Sequence, residues 1–302
     1  MNSIMASLFP LIGLIMLGYI FKRKNTFSDE FWAGAEKLNY YVFFPAMLFG
    51  NLSQAKLNFE MISKILLILV LAFPIICVVL LILKSIMNIP TRRFGVYVQS
   101  NVRFNSYIGL AVVASLFPSE GMTIFALLLA ISIPIVNIIA VISLTDYDRM
   151  NFKNIVISIF KNPLILGCLV GVAYNLSGLP LWLGVNGLIQ QLAYCSLPLG
   201  LMCVGAALQL GALKAEMAPL VVNSISRLCI IPIGAWAVCK ALGFSHLETQ
   251  IFVLYFALPT ASASYILTKV LGGDSQLMAG VISLQIICAA ITLPIVLTII
   301  LS

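Results

Sequence analysis

Seven stretches of this chain, residues 1–21, 38–55, 65–83, 121–145, 162–213, 249–268 and 275–302, contain no Asp, Glu, Lys or Arg. An uncharged apolar run of about 20 residues is what crosses a hydrocarbon core as a helix, because in lipid the backbone must bond to itself. The run 162–213 is too long for one helix, and Leu-Ser-Gly-Leu-Pro at 176–180 divides it. Two further apolar segments, near 93–117 and 218–240, are each interrupted by one arginine, Arg103 and Arg227. The pattern predicts ten spanning helices. With 62% hydrophobic and 9% charged residues there is no room for a soluble domain, so the expected fold class is an all-α integral membrane protein. The first run reads as a retained helix and not as a cleaved leader, because Pro10 lies inside it and a copy of it recurs later.

That copy divides the chain. Pro10 and Pro163, like Pro45 and Pro198, stand 153 positions apart, each followed by similar apolar residues. Pro74 and Pro232 stand 158 apart, as do the Ser-Tyr-Ile triplets at 106–108 and 264–266, and Pro134-Ile-Val and Pro294-Ile-Val stand 160 apart. A separation that drifts slowly is what small loop insertions leave in a duplicated chain. The expected organisation is a first five-helix repeat at 1–144, a linker at 145–161 and a second repeat at 162–302. Five is odd, so the second copy enters the membrane from the opposite side and the repeats are inverted. Lys22, Arg23, Lys24, Lys84, Arg92, Arg93, Arg149, Lys153, Lys161, Lys214 and Lys269 fall on one set of connections, against Lys56, Lys64 and Lys240 on the other. The positive-inside rule then puts the linker in the cytoplasm of a multi-pass protein of the cytoplasmic (inner) membrane, with both termini on the outer side. The linker also has the pattern of an amphipathic surface helix, or of a solvated strap.

Several function classes fall away. A net charge of +7 reports loop orientation here and not a nucleic-acid partner. The seven cysteines all sit in apolar stretches with no CxxC pair, and His246 is the sole histidine, so no disulfide framework, metal site or cofactor is expected. Nor is an enzyme, since neither an HExxH, nor paired mid-membrane aspartates, nor a serine with a histidine at depth can be assembled.

Polar residues at membrane depth survive only where protein or a cavity surrounds them. Two segments have that character. In the fourth span Asn101, Arg103, Asn105, Ser106 and Tyr107 follow one another closely, and in the ninth Pro259 is followed by Thr260, Ser262, Ser264 and Tyr265. The shared Ser-Tyr-Ile makes them equivalent. Broken helices at equivalent places mark a transport site, because each free half-helix N-terminus offers unpaired N–H groups and a partial positive charge suited to an anion. Arg103 lies roughly 15 Å along the helix from Arg93, near the bilayer centre, where it would supply a counter-charge. Asn39 and Tyr40 before Pro45, and Gln190, Gln191 and Tyr194 before Pro198, are candidates for the facing wall of a cavity. Arg227 is expected to be shallow, anchoring its helix at the interface.

At these residues the chain resembles the auxin efflux carrier family. The segments that carry the likeness are YYVFFPAMLF at 40–49, QSNVRFNSYIGLAV at 99–112, LPLGLMCVGAAL at 197–208 and ALPTASASYILTKVLGGD at 257–274. The resemblance implies that spans 1, 2, 6 and 7 form a scaffold and that spans 3–5 and 8–10 form a moving transport domain. It further implies that broken spans 4 and 9 cross beside the substrate, with Asn105 and Pro259 at the crossover, and that a homodimer forms through the scaffold. Phe104 replaces the proline of the plant pattern and the long cytoplasmic loop is missing, so small carboxylates are expected in place of auxin. The expectation is an elevator-like secondary transporter of an organic anion, with H+ or Na+ left open as coupling ion. The alternatives are a sodium-coupled symporter of the bile acid type, a passive channel and a non-transporting receptor.

Overall fold

The computed structural model describes residues 2–57, 59–144, 162–214 and 217–301, and all regular structure among them is helical. The linker, with its expected amphipathic helix, lies outside the described residues. In the first half, α1 (Asn2–Arg23) is followed by α2 (Asp29–Leu38), which runs through a π turn at Asn39–Phe43 into α3 (Phe44–Ser53). Then come α4 (Phe59–Met87), α5 (Thr91–Val102), α6 (Ser106–Leu116) and α7 (Ser119–Leu144). In the second half, α8 (Pro163–Ser177), α9 (Leu183–Ala206) and α10 (Met217–Ile225) lead through a π turn at Ser226–Ile230 into α11 (Ile231–Ala241). They are followed by α12 (His246–Ala257), α13 (Ala263–Val270) and α14 (Ser275–Leu301).

Local chemistry explains the ends. Ser28 caps α2 by accepting from the Phe31 amide, and Asp29 and Glu30 in its first turn suit the positive end of the helix. Asn162 caps α8 with Pro163 in the first turn, and Gly178, at φ +66°, closes it in a left-handed conformation that costs glycine nothing. At α12 the Ser245 hydroxyl and the Glu248 carboxylate exchange bonds with each other's amides in a capping box.

Among the described residues six helical stretches are long and apolar enough to cross a membrane: Met5–Arg23, Glu60–Met87, Ser119–Leu144, Leu183–Ala206, Met217–Ala241 and Ser275–Leu301. Helix α8 is apolar but has only 15 residues, about 22 Å of rise. The other expected spans carry the polar residues. The stretch 29–53 opens with Asp29, Glu30, Glu36 and Lys37, and 91–116 and 246–270 are each split in two. Along α4, Val70, Val78 and Ile86 are more than half exposed, as expected of a face that meets lipid chains.

Lipid gives apolar side chains little reason to leave it, so helices associate where their backbones can come close. Helix α1 packs along α9, and α3 along α8. A methyl at Gly18 would collide with the Met202 carbonyl, and one at Gly205 with the Ile15 carbonyl. On α8, Gly167 and Gly171 form a small-xxx-small pair whose added carbons would stand 2.9 Å from the Pro45 backbone and 3.1 Å from that of Phe49. Helices α1, α3, α8 and α9 thus form one tightly seated group, which α2 joins by packing on α9. The rest pack mainly with one another, α5 on α7, α11 on α12, and α10, α12 and α13 on α14. The groups meet where α6 touches α1 and α9, and where α7 touches α3 and α8.

Candidate functional site

Helix α12 stops for a stated reason. Pro259 has no N–H to donate, and its ring holds Leu258 in an extended conformation at ψ 141°. Helix α5 stops without a proline: Arg103 turns extended at ψ 146°, and Asn105 follows at ψ 100° as the cap of α6. The two breaks touch. The Asn105 amide donates to the Pro259 carbonyl at 2.7 Å, so the two unwound segments meet backbone to backbone.

Each break exposes carbonyls that a continuous helix would have bonded. At α5, the Gln99 carbonyl still accepts its helical bond from the Arg103 amide at 2.8 Å, whereas that of Ser100 accepts from the Thr260 hydroxyl at 2.8 Å. The Thr260 hydroxyl also lies 2.7 Å from Gln285 Oε1, which accepts from the Thr260 amide at 2.8 Å, and Gln285 Nε2 donates to Asn223 Oδ1 at 3.0 Å. Gln99 Nε2 donates to Thr268 Oγ1 at 2.9 Å, tying α5 to α13. A second tie lies at the end of the same pair, where Arg92 Nε donates to the Gly272 carbonyl at 2.7 Å.

Arg227 corrects the sequence reading. Far from lying shallow at an interface, it is fully buried in the π turn between α10 and α11. Its Nε donates to the Leu258 carbonyl at 2.8 Å, one terminal nitrogen to that of Asn101 at 2.8 Å and the other to that of Tyr255 at 3.4 Å. One side chain therefore closes the carbonyl ends of both broken helices. The available signal was the polar run Asn223, Ser224, Ser226, Arg227 in an otherwise apolar span. Gln285 in α14 and Asn137 in α7, amides at mid-helix in largely apolar segments, also bond at the crossing, and the sequence reading does not single them out.

The expected site residues separate into groups. Asn101 is 1% exposed and consumed: its Nδ2 donates to the Tyr97 carbonyl at 2.8 Å and its Oδ1 accepts from the Ser226 hydroxyl at 2.9 Å. Thr260, buried with Pro259, is likewise spent on the crossing. Asn105 is different. Its Oδ1 caps the Ile108 amide at 3.1 Å, but its Nδ2, at 1% residue exposure, has no partner among the described residues. Arg103 is half-buried beside it and donates to Asn137 Oδ1 at 2.7 Å and to Gln99 Oε1 at 3.3 Å, so its charge meets no carboxylate through these bonds. Ser106 and Tyr107 open α6, half-buried; Ser262, half-buried, precedes α13, with Ser264 and Tyr265 in its first turn. The Ser264 hydroxyl is buried without a partner among the described residues.

On the facing group, Asn39 is fully buried in the π turn and donates to the Ser196 carbonyl at 3.0 Å, while its Oδ1 and the Ser196 hydroxyl have no partner among the described residues. Gly200 leaves space that the Tyr107 ring and the Asn39 amide fill, and Phe44 lies 4.4 Å from that ring between centroids. Tyr40 is half-buried in the same π turn. Gln190, Gln191 and Tyr194 do not join them. They are exposed, Tyr194 at 71%, because the side of α9 that carries Ser196 and Gly200 is the one turned inward. Behind α6, an apolar cavity of about 240 Å³ runs between α1 and α14, bordered by Ile15, Ile108, Val112 and Leu293.

Broken helices bonded to each other inside an all-helical, lipid-facing molecule define a multi-pass membrane protein built around a polar crossing. Comparison with known proteins names the class: the pattern of the membrane transport protein family, which is auxin efflux carrier-like, matches residues 3–154 and again 149–297, and the chain belongs to that family. It is also 27% identical over 297 residues, 93% of each chain, to an uncharacterized transporter of Methanothermobacter thermautotrophicus. The resemblance read from the sequence is thereby borne out.

Proposed function

We propose that the chain is a secondary carrier of a small organic carboxylate, which binds at the N-terminus of α6 beside the crossing. The observation that carries this reading is the Asn105 side-chain Nδ2, a buried donor with no acceptor among the described residues, held by the cap bond of its own Oδ1 at the positive end of a helix. A buried unmet donor costs about 1–3 kcal/mol, and a carboxylate oxygen is the acceptor that helix dipole and cap would both favour. The half-buried Arg103 adds full positive charge on the same side of the break. Ser106, Tyr107, Ser262, Ser264 and Tyr265 supply hydroxyls from the two half-helices, and Asn39 and Tyr40 form the facing wall.

Ten crossings in two inverted halves, 1–144 and 162–302, joined through a cytoplasmic linker, fit the double family match and the two equivalent breaks. Each Ser-Tyr-Ile triplet lies in the first turn of the half-helix after its break, as duplication would leave it. The glycine-seated group α1, α3, α8 and α9, together with α2, acts as scaffold, and the remaining helices carry the crossing past it in an elevator-like stroke.

The test is thermal unfolding of purified protein against small mono- and dicarboxylates and indole acids, followed by uptake into vesicles. A stabilising acid whose effect disappears in Asn105→Ala and weakens in Arg103→Gln supports the site. If an acid is transported and its stabilisation survives both changes, binding lies elsewhere; if no acid stabilises or moves, the anion reading fails.

A further inference from the structure

The carbonyls at a helix break are the usual place for a coupling cation, since oxygen ligands and the negative helix ends converge there. In this chain that place is taken. The C-terminal ends of α5 and α12 each carry about half a negative charge, together about one elementary charge, and one fully buried guanidinium stands between them. Its three hydrogen bonds all go to backbone carbonyls, Asn101 on one side and Tyr255 and Leu258 on the other. Among the described residues no carboxylate shares them.

The side chain is delivered by the local fold. A π turn widens the helix by one residue and so directs Arg227 sideways from the joint of α10 and α11. Its neighbour Ser226 donates to Asn101 Oδ1 at 2.9 Å, so consecutive residues grip the end of α5 by side chain and by backbone. The planar fork of Arg reaches carbonyls on two different helices at once, which the single ammonium of Lys does not reproduce.

We infer that Arg227 is a tethered cation occupying the carbonyl-lined cation position of the helix crossing, so that the protein needs no sodium there. This deepens the carrier reading and rests on it only in treating the crossing as the transport site. Charge balance at the breaks is permanent. Any coupling ion must then act elsewhere, and the crossing keeps its shape whether or not sodium is present. Removing the guanidinium creates a vacancy that selects a small cation from solution.

The experiment follows the thermal midpoint of the purified protein, without substrate, in sodium, potassium and choline chloride at equal ionic strength. The wild-type midpoint is expected to be the same in all three. Arg227→Ala is expected to melt several degrees lower in choline and to be raised, saturably, by millimolar guanidinium chloride and by sodium. Arg92→Ala, which removes an exposed arginine from a carbonyl at the far end of α5, is expected to show neither response. The inference is overturned if sodium specifically stabilises the wild type, or if Arg227→Ala is as stable as the wild type in choline. It is equally overturned if neither cation raises the midpoint of Arg227→Ala. Should Arg227→Ala not survive purification, Arg227→Lys and the wild type decide: both are expected to ignore sodium, and a sodium-dependent midpoint in either refutes the proposal. A failed carboxylate screen leaves these melts unaffected, so the two readings stand or fall separately.

Discussion

Two asparagines four residues apart, Asn101 and Asn105, have opposite duties. The first spends its whole side chain, on α5 itself and on Ser226, whereas the second spends only its oxygen and keeps a buried Nδ2 without an acceptor among the described residues. Asn101→Ala is therefore expected to lower the melting temperature while leaving the stabilisation by an added carboxylate in place. Asn105→Ala is expected to lose that stabilisation, together with about 0.5–2 kcal/mol for the missing cap. Asn105→Asp is the sharper variant, because it keeps the cap oxygen but replaces the donor with negative charge: the protein without ligand melts near the wild type and no acid raises it further. Melting curves with and without the acid check all three. Both asparagines were legible in the sequence as polar groups at depth, but which was spent and which free was not, because that depends on Ser226, a residue of another helix. The burial of Arg227 was illegible for a related reason. Lys214 and Glu216 mark the start of α10 at Met217, but the chain alone does not show that the π turn at Ser226–Ile230 brings this side chain to carbonyls of two other helices.

At the scale of helices, seating depends on the absence of side chains at a few positions. Gly18 and Gly205 let α1 and α9 touch through their backbones, while Gly13 on the same α1 has open space around it. Gly205→Val is expected to separate the pair and cost at least about 1–3 kcal/mol, and Gly13→Ala is expected to be neutral or slightly stabilising through helix propensity. The yield of monodisperse protein and its unfolding temperature compare them. The breaks were legible in advance because each had a chemical marker, a proline in one and a dense polar run in the other. The continuous helix through 39–43 was equally suggested by an uncharged run, but its π turn was not, since an extra residue in a turn leaves no compositional trace. Nor was the outward set of Gln190, Gln191 and Tyr194, because a spacing argument shows which residues share a face and not which face turns inward.

For the whole molecule, the excess of basic residues on one set of connections makes orientation testable. A cleavable tag before Asn2 or after Ser302 is expected to be removed by protease added outside intact cells, and one inserted at the linker is expected to be protected. The opposite pattern would invert the proposed topology. Fold class and family were available from the chain alone, since uncharged length dictates the first and ordered motifs the second. What could not be read was the wiring at the centre, where Arg227, Gln285, Asn223 and Thr260 come from separate elements and converge only after packing.

That wiring bears on how such a protein can diversify. The bonds that hold the crossing go largely to main-chain carbonyls, which persist whatever side chains surround them, so the skeleton is insulated from changes in the residues facing the seam. Positions 39, 40 and 107 can be exchanged without unpicking the clamp formed by 101, 227, 258 and 285. With cargo bound at the seam as proposed, a lineage of this architecture acquires new cargo by a few substitutions there, while the parts that make it a working skeleton are inherited unchanged.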